Sequence, residues 1–363
     1  EFRRVLSDLM TNSHYRKLGK ALGIEFKGIY DEELGLHTGD GLGDKCSRVE
    51  SLARVGLRSI EDQYNMGNVN DLTLHAINQY GASLKKYKKE NDLLDFTDML
   101  DQYNSALPVD VCIFDEAQDL SSLQYRMAIL AASEATEVYI AGDDDQAIFG
   151  WAGADVNKFL SLKGDKRVLP QSYRVPRSIH KLSLGILGRI KNRYAKPWSA
   201  KTEEGSVEYI ADEQQIDFSG EKTWMCLSRS KYMLNRLKQS ARQQGYSYSY
   251  NGKHSLESEE TRAIISWEKL RKANTISLFE AKNMIQFFGF NVTLEKKEGY
   301  GIEDVGLPDA ARQQDWMSML RGIAPDEREY LRSVLRNGEK FNDKPRISIS
   351  TIHQSKGGEA DNV

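Results

Sequence analysis

Nowhere in the 363 residues does an apolar run approach the roughly 18 to 20 positions that a membrane-spanning helix requires, which speaks against a helical span. Cysteine is scarce: Cys46, Cys112 and Cys226 form an odd set with no close pair, arguing against a disulfide framework and a structural zinc and suiting a reducing compartment. An excess of either charge is lacking too, since 50 Lys+Arg stand against 53 Asp+Glu for a net charge of -3. Composition alone therefore does not announce nucleic acid, although local basic patches can still bind phosphates. There is no initiating Met, and the opening Glu1-Phe2-Arg3-Arg4 is not followed by a signal-peptide apolar stretch, so we expect sequence upstream of Glu1. Neither a fixed-period repeat nor a low-complexity tract is found.

What remains is an ordinary globular composition, with 40% hydrophobic and 28% charged residues, at a length that fits two domains or one large one. Residues 1 to about 90 read as helix-rich and polar, with Gly39 to Asp44 a loop by composition. From Val109 the character changes. Val111-Cys112-Ile113-Phe114 and Val138-Tyr139-Ile140-Ala141 are short continuous apolar runs that end abruptly in acids, with a helical pattern over Leu123 to Ala132 between them. Apolar strands alternating with helices predict a parallel sheet covered on both faces, an α/β architecture.

The same grammar restarts after Pro170. It predicts a helix near Pro176 to Ile190, strands at Val207 to Ile210 and Trp224 to Leu227, and a helix carrying Met233, Leu234, Leu237 and Ala241 on one stripe. Residues 275 to 343 show helical patterns, among them Trp316 to Leu320 and Arg328 to Leu335, but no clear strand. Arg346 to Ser350 then alternates like a strand that rejoins the sheet. The helical stretch reads as an insertion. Between Arg229 and Lys272 ten Lys/Arg face four Glu, which fits a solvated helix face as well as a phosphate track.

Four segments carry chemistry. Asp115-Glu116-Ala117-Gln118-Asp119 follows the first strand directly, where open parallel sheets gather functional groups; one carboxylate there can hold Mg²⁺ and the next can take a proton from an attacking water. Acids at a helix start explain the pair equally well. Gly142 to Trp151 follows the second strand and offers Gln146, a neutral phosphate sensor, with Phe149 and Trp151 as flat surfaces for unpaired bases. Gln171-Ser172-Tyr173-Arg174 places an Arg near a helix start, within reach of a γ-phosphate, and a ring that can lie on a base. The fourth, Ile349 to Asp361, ends a strand in Thr351, His353, Lys356 and glycines, suited to phosphate and sugar contacts; taken singly, each of its residues also fits a solvated loop.

In this order the four segments resemble motifs II (Walker B), III, IV and V of the UvrD/Rep/PcrA-like helicases of superfamily 1, with Leu94 to Leu100 similar to the short segment ahead of motif II. The resemblance covers about residues 90 to 275 and 345 to 363, and residues 1 to 90 only loosely. It implies two RecA-like parallel-sheet α/β domains, the first incomplete, with helical insertions. The expected layout is a 1B-like insertion at 1–90, a first core at 91–170, the second core at 171–274 and 344–363, and a reduced 2B-like insertion at 275–343.

It further implies a motor coupling ATP hydrolysis to 3′ to 5′ movement on single-stranded DNA, or on DNA with a single-stranded tail. Asp115 would bind Mg²⁺, Glu116 activate water, Gln146 sense the γ-phosphate and Arg174 stabilise its charge. Tyr173 would stack on adenine, while Gly357 and Glu359 would serve the nucleotide, Glu359 at the ribose. Trp151 and Phe149 would stack on bases, and Thr351 and His353 would contact the DNA backbone. Neither a membrane nor a structural metal is implied, and the expected setting is the cytoplasm of a bacterial or phage-infected cell.

Four departures stand out. Phe149 stands where the family often has Tyr, and Gly358 and Ala360 replace bulkier residues of motif V, as in some phage-encoded members. No GxxxxGK[ST] phosphate loop occurs: its nearest lookalike, Gly39 to Ser47, has Asp44 between Gly43 and Lys45 and no apolar strand before it. The family's last motif is also missing. We therefore expect a helicase fragment with negligible ATP hydrolysis of its own; the alternative is a non-catalytic single-strand-binding module derived from a helicase core. A repair nuclease is disfavoured because no further acid and Lys cluster appears.

Overall fold

The chain's own pattern of short apolar runs sets the architecture, seen in a computed structural model that describes residues 9–31, 35–67 and 71–363. The expectation for residues 1–90 thus includes 1–8, 32–34 and 68–70, which lie outside the described residues. Two compact units divide between Val207 and Glu208.

In the first unit, helices Asn12–Leu22, Leu42–Val55, Ile60–Met66 and Leu74–Glu90 pack with a small hairpin, β1 (Tyr30–Asp31) and β2 (Leu36–His37). Their core joins aliphatic residues such as Leu18, Ile77 and Leu84 to an aromatic group in which Tyr15, Phe26 and Tyr30 surround buried His37 and Tyr80 meets Phe26. The His37 ring shares a 2.9 Å hydrogen bond with the Ser47 hydroxyl, and burial pushes its pKa down to about 4. Burial pushes Glu50 up to about 7, with Arg54 3.7 Å away resisting.

The signs oppose each other. His37, with its depressed folded pKa, contributes stability that is complete above its unfolded value and is lost as pH falls towards 4. Glu50, with a raised folded pKa, contributes below its unfolded value of 4.5 and loses that contribution as pH rises through 7. Glu50→Gln is therefore expected to gain on the wild type by about 2 to 3 kcal/mol at pH 8 and by little at pH 5. Denaturant titrations at the two pH values check this; an equal difference at both would refute it.

Arg54 and Lys88 converge on Asp95 and Asp98, joining two helices to the N-terminus of a third, Phe96–Asp101, just ahead of the sheet. That sheet has two parallel strands, β3 (Val111–Phe114) and β4 (Glu137–Ile140), linked through helix Ser122–Ala131. Cys112, Phe114, Val138 and Ile140 share one side by register. Phe114, Val138 and Ile140 line a cavity of about 280 Å³ with that helix. Ile113 and Tyr139, on the other side, are 72% and 56% exposed. The expectation of a sheet covered on both faces is not met within this unit, because a two-stranded sheet with one linking helix has a layer on one side.

The second unit carries a four-stranded sheet in the order β5 (Trp224–Ser228), β8 (Ile347–Thr351), β6 (Tyr248–Tyr250), β7 (Lys253–His254). β8 pairs parallel to both β5 and β6, and Ile347 and Ile349 are fully buried there. The helical excursion between β7 and β8 has its own core around Trp267, Tyr300 and Leu331. Two sequence expectations fail. Val207 to Ile210 forms no strand: Tyr209 is 86% exposed and the stretch has no ladder partner among the described residues. The loop expected over Gly39 to Asp44 ends early, because a helix begins at Leu42.

Candidate nucleotide and single-strand site

The carboxyl ends of β3 and β4 are stitched together beyond the ladder, since Ala141 N–H donates to Phe114 O (2.8 Å) and Ala117 N–H to Ala141 O (3.0 Å). Both acid turns therefore emerge at one edge. Glu116 sits in the left-handed region (φ 52°), an uncommon state for a residue with a Cβ, and its N–H donates to Asp115 Oδ1 at 2.8 Å. Asp115 is exposed, and its Oδ2 has no hydrogen bond among the described residues, which fits a carboxylate that meets Mg²⁺ through water.

What fixes the Glu116 side chain is Gln118. Fully buried, it donates Nε2–H to Glu116 Oε2 (2.5 Å), and its Oε1 accepts the Asp143 N–H (2.8 Å). One amide thus bridges the two turns. Gly142 leaves room for it: a Cβ there would lie 2.6 Å from Gln118 Oε1 and 2.9 Å from the Phe159 ring. Gly142→Ala is expected to cost about 1 to 3 kcal/mol through this overpacking. A thermal midpoint equal to that of the wild type would show the bridge to be looser than described.

In the second turn Gln146 Nε2–H donates to Asp143 Oδ2 at 2.8 Å. Asp143, Asp144 and Asp145 bring carboxylate oxygens within 4.8 Å of one another, the one grouping among the described residues that could hold a cation by its donor set. The Lys196 ammonium contacts all three acids. A short turn, Gly150–Ala152, then presents Trp151 half exposed, with Phe149 at its start. Gly153 closes the turn at φ 102°, where a Cβ would also meet Val55 at 2.8 Å. Behind it, Asp155 N–H donates to Leu120 O (2.9 Å) and Asp155 Oδ2 accepts the Ser122 hydroxyl (2.7 Å), tying the Trp151 loop to the exit of the first turn.

Gln171 to Val175 is a separate tight turn. Ser172 N–H donates to Ser199 O (2.8 Å), and the Ser172 hydroxyl accepts from the N–H groups of Arg174 and Val175 (3.3 and 3.1 Å). Tyr173 projects from it 85% exposed, and Arg174 is exposed beside it.

In the second unit β8 ends at Thr351, which is buried, its hydroxyl donating to Gln354 Oε1 at 3.2 Å. His353 is half-buried and Glu359 exposed, with Gly357 between them at φ 80°. A Cβ on Gly358 would lie 2.6 Å from Met225 Cε, so the small residue there is matched by a large neighbour on β5. The segment then returns along β5: Met225 N–H donates to Asn362 O (2.9 Å), and Asp361 accepts from Thr223.

The lookalike phosphate loop is closed by its own side chain. Asp44, fully buried, accepts the N–H groups of Lys27 (2.8 Å), Gly28 (3.2 Å) and Gly41 (2.9 Å), so a carboxylate fills the backbone cradle that a phosphate would need.

The sequence profile of the UvrD/REP helicase N-terminal domain matches residues 45–167, the stretch that holds both acid turns. This chain is UvrD/REP-like. It is 23% identical over 231 residues to the ATP-dependent DNA helicase Rep of Buchnera aphidicola, covering 58% of this chain and 33% of that protein. It is 30% identical over 136 residues to a probable DNA helicase II homolog of Mycoplasma pneumoniae (32% of this chain, 19% of that one). Against the ATP-dependent DNA helicase PcrA of Staphylococcus aureus it is 33% identical over 101 residues (26% and 14%). The chain thus aligns with a third or less of the length of these UvrD/REP-like relatives. No helix of the described residues is long and apolar enough to cross a membrane.

Sequence reasoning gave no role to Gln118, Gly142, Arg193 or Lys196. Gln118 lies inside the first acid segment, where nothing local marks its amide as a bridge. The other three act through contacts that no local pattern encodes.

Proposed function

We propose that this UvrD/REP-like chain is part of a motor coupling Mg-ATP hydrolysis to 3′ to 5′ movement on single-stranded DNA, built on two RecA-like cores. The observation that carries the reading is the hydrogen-bonded chain Glu116–Gln118–Asp143–Gln146 at the common carboxyl edge of β3 and β4. It holds a water-activating carboxylate and a phosphate-sensing amide on one frame, as phosphoryl transfer by positioning requires.

Asp115 would hold Mg²⁺, which would supply charge neutralisation on the phosphates when bound. Glu116 takes the proton of the attacking water, Gln146 reads the γ-phosphate, and Arg174 meets the charge developing on it. Tyr173 stacks on adenine, with Gly357 and Glu359 on the nucleotide. Trp151 and Phe149 stack on bases, and His353 and Thr351 serve the DNA backbone, Thr351 by shaping its turn. The substrate is single-stranded DNA or a duplex with a single-stranded tail, and the setting is a bacterial or phage-infected cytoplasm.

The 363 residues hold no GxxxxGK[ST] segment. They are therefore expected to hydrolyse ATP negligibly, and the same observation favours a second reading, a non-catalytic single-strand-binding module. An assay of the purified chain with Mg-ATP and oligothymidylate checks this; strong DNA-stimulated hydrolysis that Glu116→Gln abolishes would contradict it. The gene upstream of Glu1 separates the two readings. An in-frame phosphate-loop sequence supports the motor, and a start codon immediately before Glu1 supports the module.

A further inference from the structure

Three carboxylates with oxygens within 4.8 Å of one another repel strongly, and the Asp143–Asp145 turn would spread unless cations stood among them. Two side chains from a distant segment do so. Arg193 makes a bidentate pair with Asp145, Nε to Oδ1 at 2.7 Å and Nη2 to Oδ2 at 2.6 Å. Lys196 Nζ lies 2.5 Å from Asp144 and 2.9 Å from both Asp143 and Asp145. Between them the Tyr194 N–H donates to Asp144 Oδ2 at 2.7 Å. The Asp144 and Asp145 side chains are only 4% and 7% exposed, so these charge-assisted bonds are largely shielded from water.

Titration agrees with the geometry. Burial works against the Lys196 charge, yet its hydrogen bonds to Asp144, Asp145 and Asp143 outweigh that and raise its pKa. Arg193 holds the Asp145 carboxyl below the ordinary range.

The acid turn leads straight into Gln146 and, five residues later, Trp151. Arg193 and Lys196 follow the helix Arg177–Leu187, which begins three residues after Arg174. We propose that Arg193 and Lys196 are positioning residues, a cationic clamp that fixes the loop bearing Gln146, Phe149 and Trp151 and ties it to the segment headed by Arg174. Its functional meaning rests on the reading of that loop given above; its geometry does not.

Amide hydrogen exchange on the 363-residue chain tests the clamp, comparing the wild type with Lys196→Ala, Lys196→Arg, and Lys196→Ala combined with Asp144→Asn. Lys196→Ala is expected to speed exchange across residues 143–151 about tenfold, the loss of a charge-assisted pair, while the helix Leu42–Val55 exchanges as before. Lys196→Arg restores protection by keeping the charge. Asp144→Asn restores part of it by removing one uncompensated carboxylate.

Oligothymidylate binding by Lys196→Ala is expected to weaken with an unchanged slope of log K against log salt. Unchanged exchange at 143–151 overturns the clamp. So does a slope lowered by about one unit with unchanged exchange, which marks Lys196 as a direct phosphate contact. If Lys196→Ala does not fold, Arg193→Lys, which keeps the charge and loses the bidentate geometry, is read in the same way. Failure of the wild type to bind oligothymidylate would sink the DNA reading and leave the exchange result to decide the clamp.

Discussion

Asp95→Ala is expected to destabilise the first unit by about 3 to 5 kcal/mol, the range seen when one partner of a buried ion pair is removed. Its side chain is 4% exposed and accepts Arg54 through both oxygens (2.7 and 3.0 Å) and the Lys88 ammonium at 2.6 Å. It also caps the helix Phe96–Asp101 by accepting the Asp98 N–H at 2.7 Å. Truncation therefore removes a cap and leaves a guanidinium and an ammonium sharing Asp98 and Glu50. Burial pushes the Asp95 carboxyl up, but the Arg54 hydrogen bonds, with Lys88, outweigh this and hold it well below the carboxylate range. Its stabilisation is complete above the unfolded value of 3.8 and is lost in stronger acid. Urea denaturation near pH 7 measures the loss. A cost under about 1 kcal/mol would show the network to act as an exposed one.

The second large effect is on binding. Trp151→Ala is expected to weaken single-strand affinity by about 1 to 3 kcal/mol, roughly 5- to 150-fold, the amount that one base-stacking ring contributes. The ring is half exposed on a turn held from below by Gly153 against Val55 and by Asp155 against Leu120 and Ser122. These anchors are backbone and small side chains, and a thermal midpoint measured beside the affinity reports on the turn separately from the ring. A loss of affinity with intact stability separates a stacking platform from a packing residue.

Much of this was legible in the sequence. Val111 to Phe114, Val138 to Ala141, Trp224 to Leu227 and Arg346 to Ser350 announce their strands by apolar composition and by acids, Arg or hydroxyls at their ends, and all four form within a residue or two. The acid turns follow from them. Val207 to Ile210 has the same composition, but a strand needs a ladder partner, and pairing is a tertiary fact.

The helix start at Leu42 was hidden because Gly-rich text reads as loop. Asp44 caps the helix by accepting the Gly41 N–H and anchors it by also collecting N–H groups from residues 16 and 17 positions earlier. Gln118 and the Arg193–Lys196 pair were invisible for a related reason. Their partners lie 25 and 48 to 52 residues away, and nothing in local periodicity marks an amide or a Lys that will meet an acid there.

On the proposed function, the edge bearing both acid turns also presents a single-strand DNA platform. Fluorescence titration of the wild type and Trp151→Ala with labelled oligothymidylate and with a blunt duplex tests it most directly. The wild type is expected to prefer the single strand, with affinity falling as salt rises, and the variant to be at least about fivefold weaker on it. Equal affinities of the two proteins for oligothymidylate, or no preference of the wild type for single strand over duplex, would contradict it.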